Sequence, residues 1–194
     1  MIGTSLFIGQ QIELTAINPE KDMEALSAWT ADQEFVKEFL EGDFHPYSAA
    51  ELKKAISEKI KKADENHGAY YFAIRPIGKP DVVGVLIFGW IWSSQQSGRI
   101  FLFFEDKASL EQYGEEVLKL GLRYAFMELS LHRLWTELSD HNPTKLTIFE
   151  KAGFLRETQR KEALFFDGTY YDQLDYAMLK PEWKKLQEEV QNEK

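Results

Sequence analysis

The sequence predicts a single α/β chain, with α and β elements mixed. It should be built on one central twisted sheet of about seven strands, of mixed direction, with helices on both faces. Three observations predict it. Strand-like runs come first, and helices are interposed between the later strands. A helix over Tyr113–Glu128 carries Tyr113, Val117, Leu120 and Tyr124 on one line, with Leu118, Leu122 and Ala125 beside it, a stripe broad enough that it must lie on a sheet. Finally, 194 residues without a linker, repeat or low-complexity segment are most simply one domain, residues 1–194, with a charged helical tail from about Pro181.

In order, Gln11–Ile17 alternates as a first strand. Asn18-Pro19 opens a helix, with Glu20 and Asp22 at the positive end of its dipole and Met23, Leu26 and Trp29 on one side. Gln33–Leu40 is a second helical piece, and Glu41–Tyr47 a loop. Ser48 caps a long helix to Ala63, with Glu51 completing a capping box. Ala69–Arg75 and Val82–Trp92 are strands joined by a hairpin loop, Pro76–Asp81; a polar turn, Ser93–Gly98, leads to a fourth strand, Arg99–Phe104. After the Tyr113 helix, Leu134–Leu138 is a fifth strand. Asn142 and Pro143 then cap and open a helix bearing Leu146, Ile148, Phe149 and Ala152, which Gly153 stops. Two more strands meet at Asp167-Gly168.

Composition excludes several functions. Hydrophobic residues are 44% of the chain and aromatic residues 14%, enough for a sizeable core. The longest apolar run, Val82–Trp92, is about half of the ~20 residues that span a bilayer. The opening MIGTSLFIGQQ lacks a basic region and a long apolar stretch, so a cytoplasmic protein away from membranes is expected. The chain has no cysteine, hence no disulfide, thiolate metal site or Cys nucleophile. The histidines form no metal pattern, and there is no Gly-x-Ser-x-Gly elbow or P-loop, so no metal, hydrolase or kinase chemistry is expected. A net charge of −9 argues against nucleic acid as a partner. It suits a small-molecule amine or basic peptide, and equally serves solubility alone.

The most informative stretch is Leu131–Phe154, LHRLWTELSDHNPTKLTIFEKAGF. Leu131-His132-Arg133 precedes its strand, Asn142 sits in its corner, and Glu150-Lys151-Ala152-Gly153-Phe154 closes its helix. Phe166-Asp167-Gly168-Thr169-Tyr170-Tyr171-Asp172, Tyr176-Ala177-Met178-Leu179 and Glu182-Trp183 follow. Together these resemble the GNAT-fold N-acyltransferases. They are closest to the branch that acetylates ribosomal-protein N-termini (RimJ/RimL type), over nearly the whole chain. The resemblance implies a mostly antiparallel sheet whose two central strands splay to admit a cofactor. It implies acetyl-CoA as acyl donor, and direct attack by a primary amine, a peptide N-terminus or a small amine, in a ternary complex.

The resemblance also implies site residues. Backbone groups of Phe101, Leu102, Phe103 and Phe104 would hold the pantetheine arm, with Asn142, Thr144 and Phe149 beside it. The early helices would line the acceptor cleft, making Phe44, His45 and Tyr47 candidate substrate contacts. The pyrophosphate loop would fall on Asp106–Glu116, with Gln112, Gly114 and Glu115 as contacts. Of the family's glycines only Gly114 is kept, Ser109 and Gln112 replace the usual residues, and acidic side chains crowd the segment. The usual proton acceptor is replaced by Arg99, which cannot take a proton. The usual donor is replaced by Phe149, which has none to give. Glu137, Glu105 and Tyr170 are the candidate substitutes. These departures support an alternative, a catalytically degenerate GNAT-fold binding or regulatory module with weak or no CoA binding. Either a monomer or a homodimer is compatible with the sequence.

Overall fold

The computed structural model describes residues 5–192; residues 1–4 and 193–194, the ends of the stretches read for a leader and a helical tail, lie outside the described residues. Strands β1 (Ile12–Ala16), β2 (Tyr70–Pro76), β3 (Gly84–Trp92), β4 (Ser97–Phe104), β5 (Arg133–Ser139), β6 (Leu155–Phe166) and β7 (Thr169–Leu179) form one sheet, ordered β1-β2-β3-β4-β5-β7-β6. Helices are α1 (Met23–Ala28), α2 (Ala49–Asn66), α3 (Lys107–Arg123), α4 (Pro143–Lys151) and α5 (Lys180–Asn192). The segment Phe35–Leu40 is one π-helical stretch, and Tyr124–Glu128 prolongs α3 as another.

All neighbouring strands are antiparallel except β4 and β5. Those two are parallel because α3 carries the chain back across the sheet between them, as a parallel connection requires. Strand alternation then sorts the core into two layers. Ile100, Leu102, Leu134 and Leu138 pack beneath Val117 and Leu118 of α3, Ile148 and Phe149 of α4, and Trp183 of α5. Phe101 and Phe103 point the other way, beneath Leu26 of α1, Phe35 and Phe39, and Leu52 and Ile56 of α2. The expected helices on both faces are therefore present.

Local rules hold at most helix ends. Ser48 and Glu51 form the capping box, and Asn142 Oδ1 accepts from Lys145 N at 3.1 Å. Gly153 ends α4 at φ +97°, where a Cβ would also run into Leu186 of α5. Two boundaries depart from the sequence reading. Helix α3 starts at Lys107, six residues before Tyr113, because Asp106 caps it by accepting from Ser109 N at 2.7 Å. No extended loop lies between β4 and α3, only the turn Glu105-Asp106. Helix α1 starts at Met23 rather than after Asn18, because Asp22 Oδ2 accepts from Asn18 N at 2.7 Å and closes a turn there.

Asp22 also fixes α1 to the sheet. Both its oxygens accept from Arg75 Nη2 of β2 at 2.7 Å, and Arg75 Nε donates to Thr15 Oγ1 of β1 at 2.9 Å. Asp22 is 3% exposed and Arg75 12%, so the pair is shielded from water. Asp22→Ala would leave a buried guanidinium without its carboxylate. The expected loss is about 3–5 kcal/mol in urea or thermal unfolding.

Candidate active site

The site begins where two strands part. Strand β4 pairs with β5 only at Ser97–Arg133, Gly98–Leu134 and Arg99–Trp135. Beyond that, β5 stays paired with β7 to its end, while β4 continues to Phe104 with its β5-facing edge free of strand partners. Arg99 is wedged at the fork, its guanidinium 4.2 Å from the centre of the Phe101 ring and 5.1 Å from that of Trp135. A cleft of about 760 Å³ opens there, lined by the end of β4, the Glu105-Asp106 turn, Trp29, Glu34 and the corner His141–Lys145. Two smaller recesses of about 270 Å³ each share Glu38, Glu41, Trp90 and Phe101 with one another and, among the described residues, no lining residue with the large cleft.

A line of charges runs through this opening. Lys145, in the first turn of α4, donates to Glu34 Oε1, and His141 Nε2 lies 3.3 Å from Glu34 Oε2. Lys145 Nζ stands 4.9 Å from the centre of the Phe103 ring. Helix α4 covers one face of the sheet with Ile148 and Phe149, yet Lys145 meets residues of the other face. Its side chain therefore passes through the gap between β4 and β5. Next along, Arg99 Nη2 lies 3.9 Å from Glu38 and 2.9 Å from Glu137, which also accepts from Arg160 at 3.1 Å. The Nε of Arg99 and the Nδ1 of His141 are buried without a partner.

The carboxylates are driven apart in acidity. Burial opposes ionisation of Glu34, but the Lys145 ammonium with His141 overcomes it and holds the carboxyl at about 2. Glu38 has no such direct partner. Burial pushes it up to about 7, aided by Glu34 and Glu137 and opposed by Lys145 and Arg99. Lys145 keeps its proton: burial works against the charge, and Glu34 and Glu38 hold it above the ordinary lysine range. Two carboxyls one helical turn apart thus differ, one fixed as an anion and one poised to exchange a proton near neutrality.

The residues singled out from sequence fall in several places. Leu102, Phe103, Phe104, Asn142 and Thr144 line the large cleft, and Phe101 lines the recesses. Glu137 reaches the site but is held by two guanidinium groups. Glu105 is at the cleft mouth, where it accepts from Ser109 Oγ at 3.1 Å. Tyr170 is 63% exposed at the β6–β7 hairpin, its ring 4.9 Å from that of Phe165. Gln112, Gly114 and Glu115 lie well inside α3. Gly114 faces Ile148, whose Cδ1 would be 3.0 Å from an added Cβ, and Glu115 pairs with Lys151 at 2.8 Å. Phe149 is fully buried against Phe154. Phe44 is about half exposed, and His45 stacks on Tyr47 at 4.0 Å. The aromatic side chains that line the recesses beside Glu38 are Phe39, Tyr71, Trp90 and Phe101.

Glu34, Glu38 and Lys145 were missed in the sequence. The available signal was positional: Lys145 is four residues before Phe149, on the buried side of α4, where a charge needs a reason. Among the described residues no group of three or more His, Asp or Glu is placed to hold a metal, and no helix is long and apolar enough to cross a membrane.

Comparisons with known proteins agree with this architecture. A sequence model described as an acetyltransferase (GNAT) domain matches residues 11–155. The SPbeta prophage-derived uncharacterized N-acetyltransferase YokL of Bacillus subtilis is 23% identical over 184 residues, covering 94% of this chain and 98% of that protein. The spermidine N(1)-acetyltransferase of Vibrio cholerae is 28% identical over 60 residues, 31% of this chain and 35% of that protein. Mutant forms of the spermidine/spermine N-acetyltransferase SpeG from Vibrio cholerae superpose with a TM-score of 0.74 at 18% identity, over 91% of this chain and 98% of that one. At such identity the structural likeness carries the fold.

The buried pair has a measurable signature. Lys145→Met leaves the Glu34 carboxylate with His141 as its remaining partner and should cost about 3 kcal/mol, whereas Glu34→Gln combined with Lys145→Met should unfold close to wild type. Urea unfolding of the two single variants and the double variant reads this directly, as a coupling energy of the same size.

Proposed function

The chain belongs to the GNAT acetyltransferase family, and on that premise we propose that it transfers the acetyl group of acetyl-CoA to a primary amine by direct attack in a ternary complex. The observation that carries this reading is the fork of β4 and β5, with the large cleft at the free end of β4 and a recess lined by Arg99, Glu38 and Glu137 at the fork itself. Acetyl-CoA supplies the thioester carbonyl that is attacked and the thiol that leaves. The acyl and pantetheine portion fits the open edge of β4, where Leu102–Phe104 offer unpaired backbone groups and Asn142 and Thr144 stand opposite. The mouth fits phosphates less well. Asp106 already occupies the first-turn amide of Ser109, and Glu105 adds a second negative charge.

The acceptor amine enters the recesses, whose lining holds Glu38, Glu41 and Glu137 among Lys37, Lys59, Lys62 and Arg99, beside Trp90 and Phe101. Aromatic faces hold a protonated amine by cation–π contact, beside carboxylates that offset the cations of the same lining. One proton leaves the bound ammonium to solvent before attack, and Glu38 takes the second as the C–N bond forms. It is half-buried and lines the recesses, and its acidity lies where a base works near neutral pH. Glu137 orients Arg99 rather than taking the proton. A peptide N-terminus and a small polyamine both satisfy this lining. The acidic mouth favours one other reading, a module that binds amines with little affinity for CoA.

Incubation with acetyl-CoA and a panel of amines and peptides, read by mass, should give acetylated product. Absence of transfer to every acceptor would overturn the proposal. Glu38→Gln should lower kcat/KM by about 10²–10⁴. In the wild type kcat/KM should fall as pH drops through about 7, because protonated Glu38 cannot accept a proton, and that limb should vanish in the variant. Asp106→Asn keeps the helix cap and removes a negative charge at the mouth. Calorimetry should show acetyl-CoA bound about 2- to 5-fold more tightly.

A further inference from the structure

Lys145 is charged, with its side chain 8% exposed, and sits in the large cleft. Stability alone gives no reason for it, since an apolar pair of similar volume holds a fold as well or better. Its position suggests another reason. Lys145 and Phe149 are four residues apart on the buried side of α4, so the Cα of Lys145 lies about one turn, ~5.4 Å, nearer the end of the helix that opens on the fork, and its ammonium reaches Phe103 and Glu34 from there. The cleft lining carries Asp32, Glu34, Glu105 and Asp106 against two lysines, His141 aside. Lys107 is at the exposed mouth, 3.5 Å from Glu111; Lys145 is the cation at the buried end, beside Phe103.

We propose that Lys145 receives the thiolate released from the acyl donor and stabilises it as an ion pair, the task for which Phe149 has no proton. The proposal rests on the acetyl-CoA reading above. When the C–S bond breaks, its electron pair leaves on sulfur and the carbonyl closes on the new C–N bond. The amine has by then lost one proton to solvent before attack and its second to Glu38 as the C–N bond formed, and Lys145 keeps its own. The thiolate takes up a proton from solvent as it departs. An ammonium has three donors, and Glu34 accepts one of them. His141 Nε2, 3.3 Å from the other Glu34 oxygen, keeps that carboxylate partnered while Lys145 serves the sulfur.

The test needs no turnover. The ultraviolet absorbance of the CoA thiolate is titrated against pH on the intact protein, with acetyl-CoA, which has no free thiol, as the blank. A thiol ordinarily titrates near about 8.5. Bound to the wild type, its midpoint should fall by about one to three pH units, as for a group that gains an opposite charge. The Glu34→Gln/Lys145→Met variant should return it to the value of free CoA. Calorimetry with acetyl-CoA on the same samples separates two failures. Acetyl-CoA binding with an unshifted thiol in the wild type, or a shift that survives in the double variant, overturns the role of Lys145 and leaves the transferase reading standing. Binding of neither ligand overturns both. If the double variant does not fold, the wild-type titration decides by itself.

Discussion

Past Arg99 and Trp135 two neighbouring strands of one sheet no longer share hydrogen bonds, and the rest of the molecule is arranged around that gap. Strand β5 is still held along its other edge, where β7 pairs with it over seven residue pairs. Strand β4 is held by β3 from Gly84–Phe104 to Gly89–Arg99 and, past a bulge in β3, at Trp92–Ser97, so the segment with the free edge is supported from its other side. The two core layers lie on opposite faces and are rigid on either side of the opening. A gap between well-packed walls is a place where a ligand's extended chain can complete a sheet edge without disturbing the fold.

What fills the gap in the free protein is charge. Lys145 and Glu34 neutralise each other between the faces, and Arg99 and Glu137 do so further down. Glu38 lies between these pairs and belongs fully to neither, which is why it keeps its proton up to about neutral pH while that of Glu34 is lost. The arrangement follows from dielectric. In a shielded site, each ion that has a close partner is fixed, and the one left over titrates. Geometry at the π-helical segment Phe35–Leu40 contributes, because it places Glu38 over Arg99 while Phe35 and Phe39 stay buried.

Some of the site was legible beforehand. Asn142 and Thr144 follow from a corner-and-cap pattern that is local in sequence, and the β4 residues follow from the strand that leads into it. The cofactor loop was harder. Resemblance aligned Asp106–Glu116 with a glycine-rich loop, whereas local chemistry, Asp106 three residues before Ser109, specifies a helix cap, and the cap prevails. Gly114, the glycine that survives, faces Ile148 and lets α3 approach α4 closely. Glu34, Glu38 and Lys145 come from segments more than a hundred residues apart, and nothing within either segment reveals the partner.

The sequence by itself determined the seven strands, the capped helices and the family, because alternation, helical spacing, caps and the Asn142–Phe154 pattern are read over a few neighbouring residues. It also determined that neither Arg99 nor Phe149 can move a proton, since that is a property of the side chain alone. Only the tertiary structure decided which carboxyl is ionised, where β4 and β5 part, and that a lysine crosses the gap. Those outcomes depend on distance and shielding between residues far apart in the chain, and a carboxylate's acidity is set by its surroundings rather than by its neighbours in sequence.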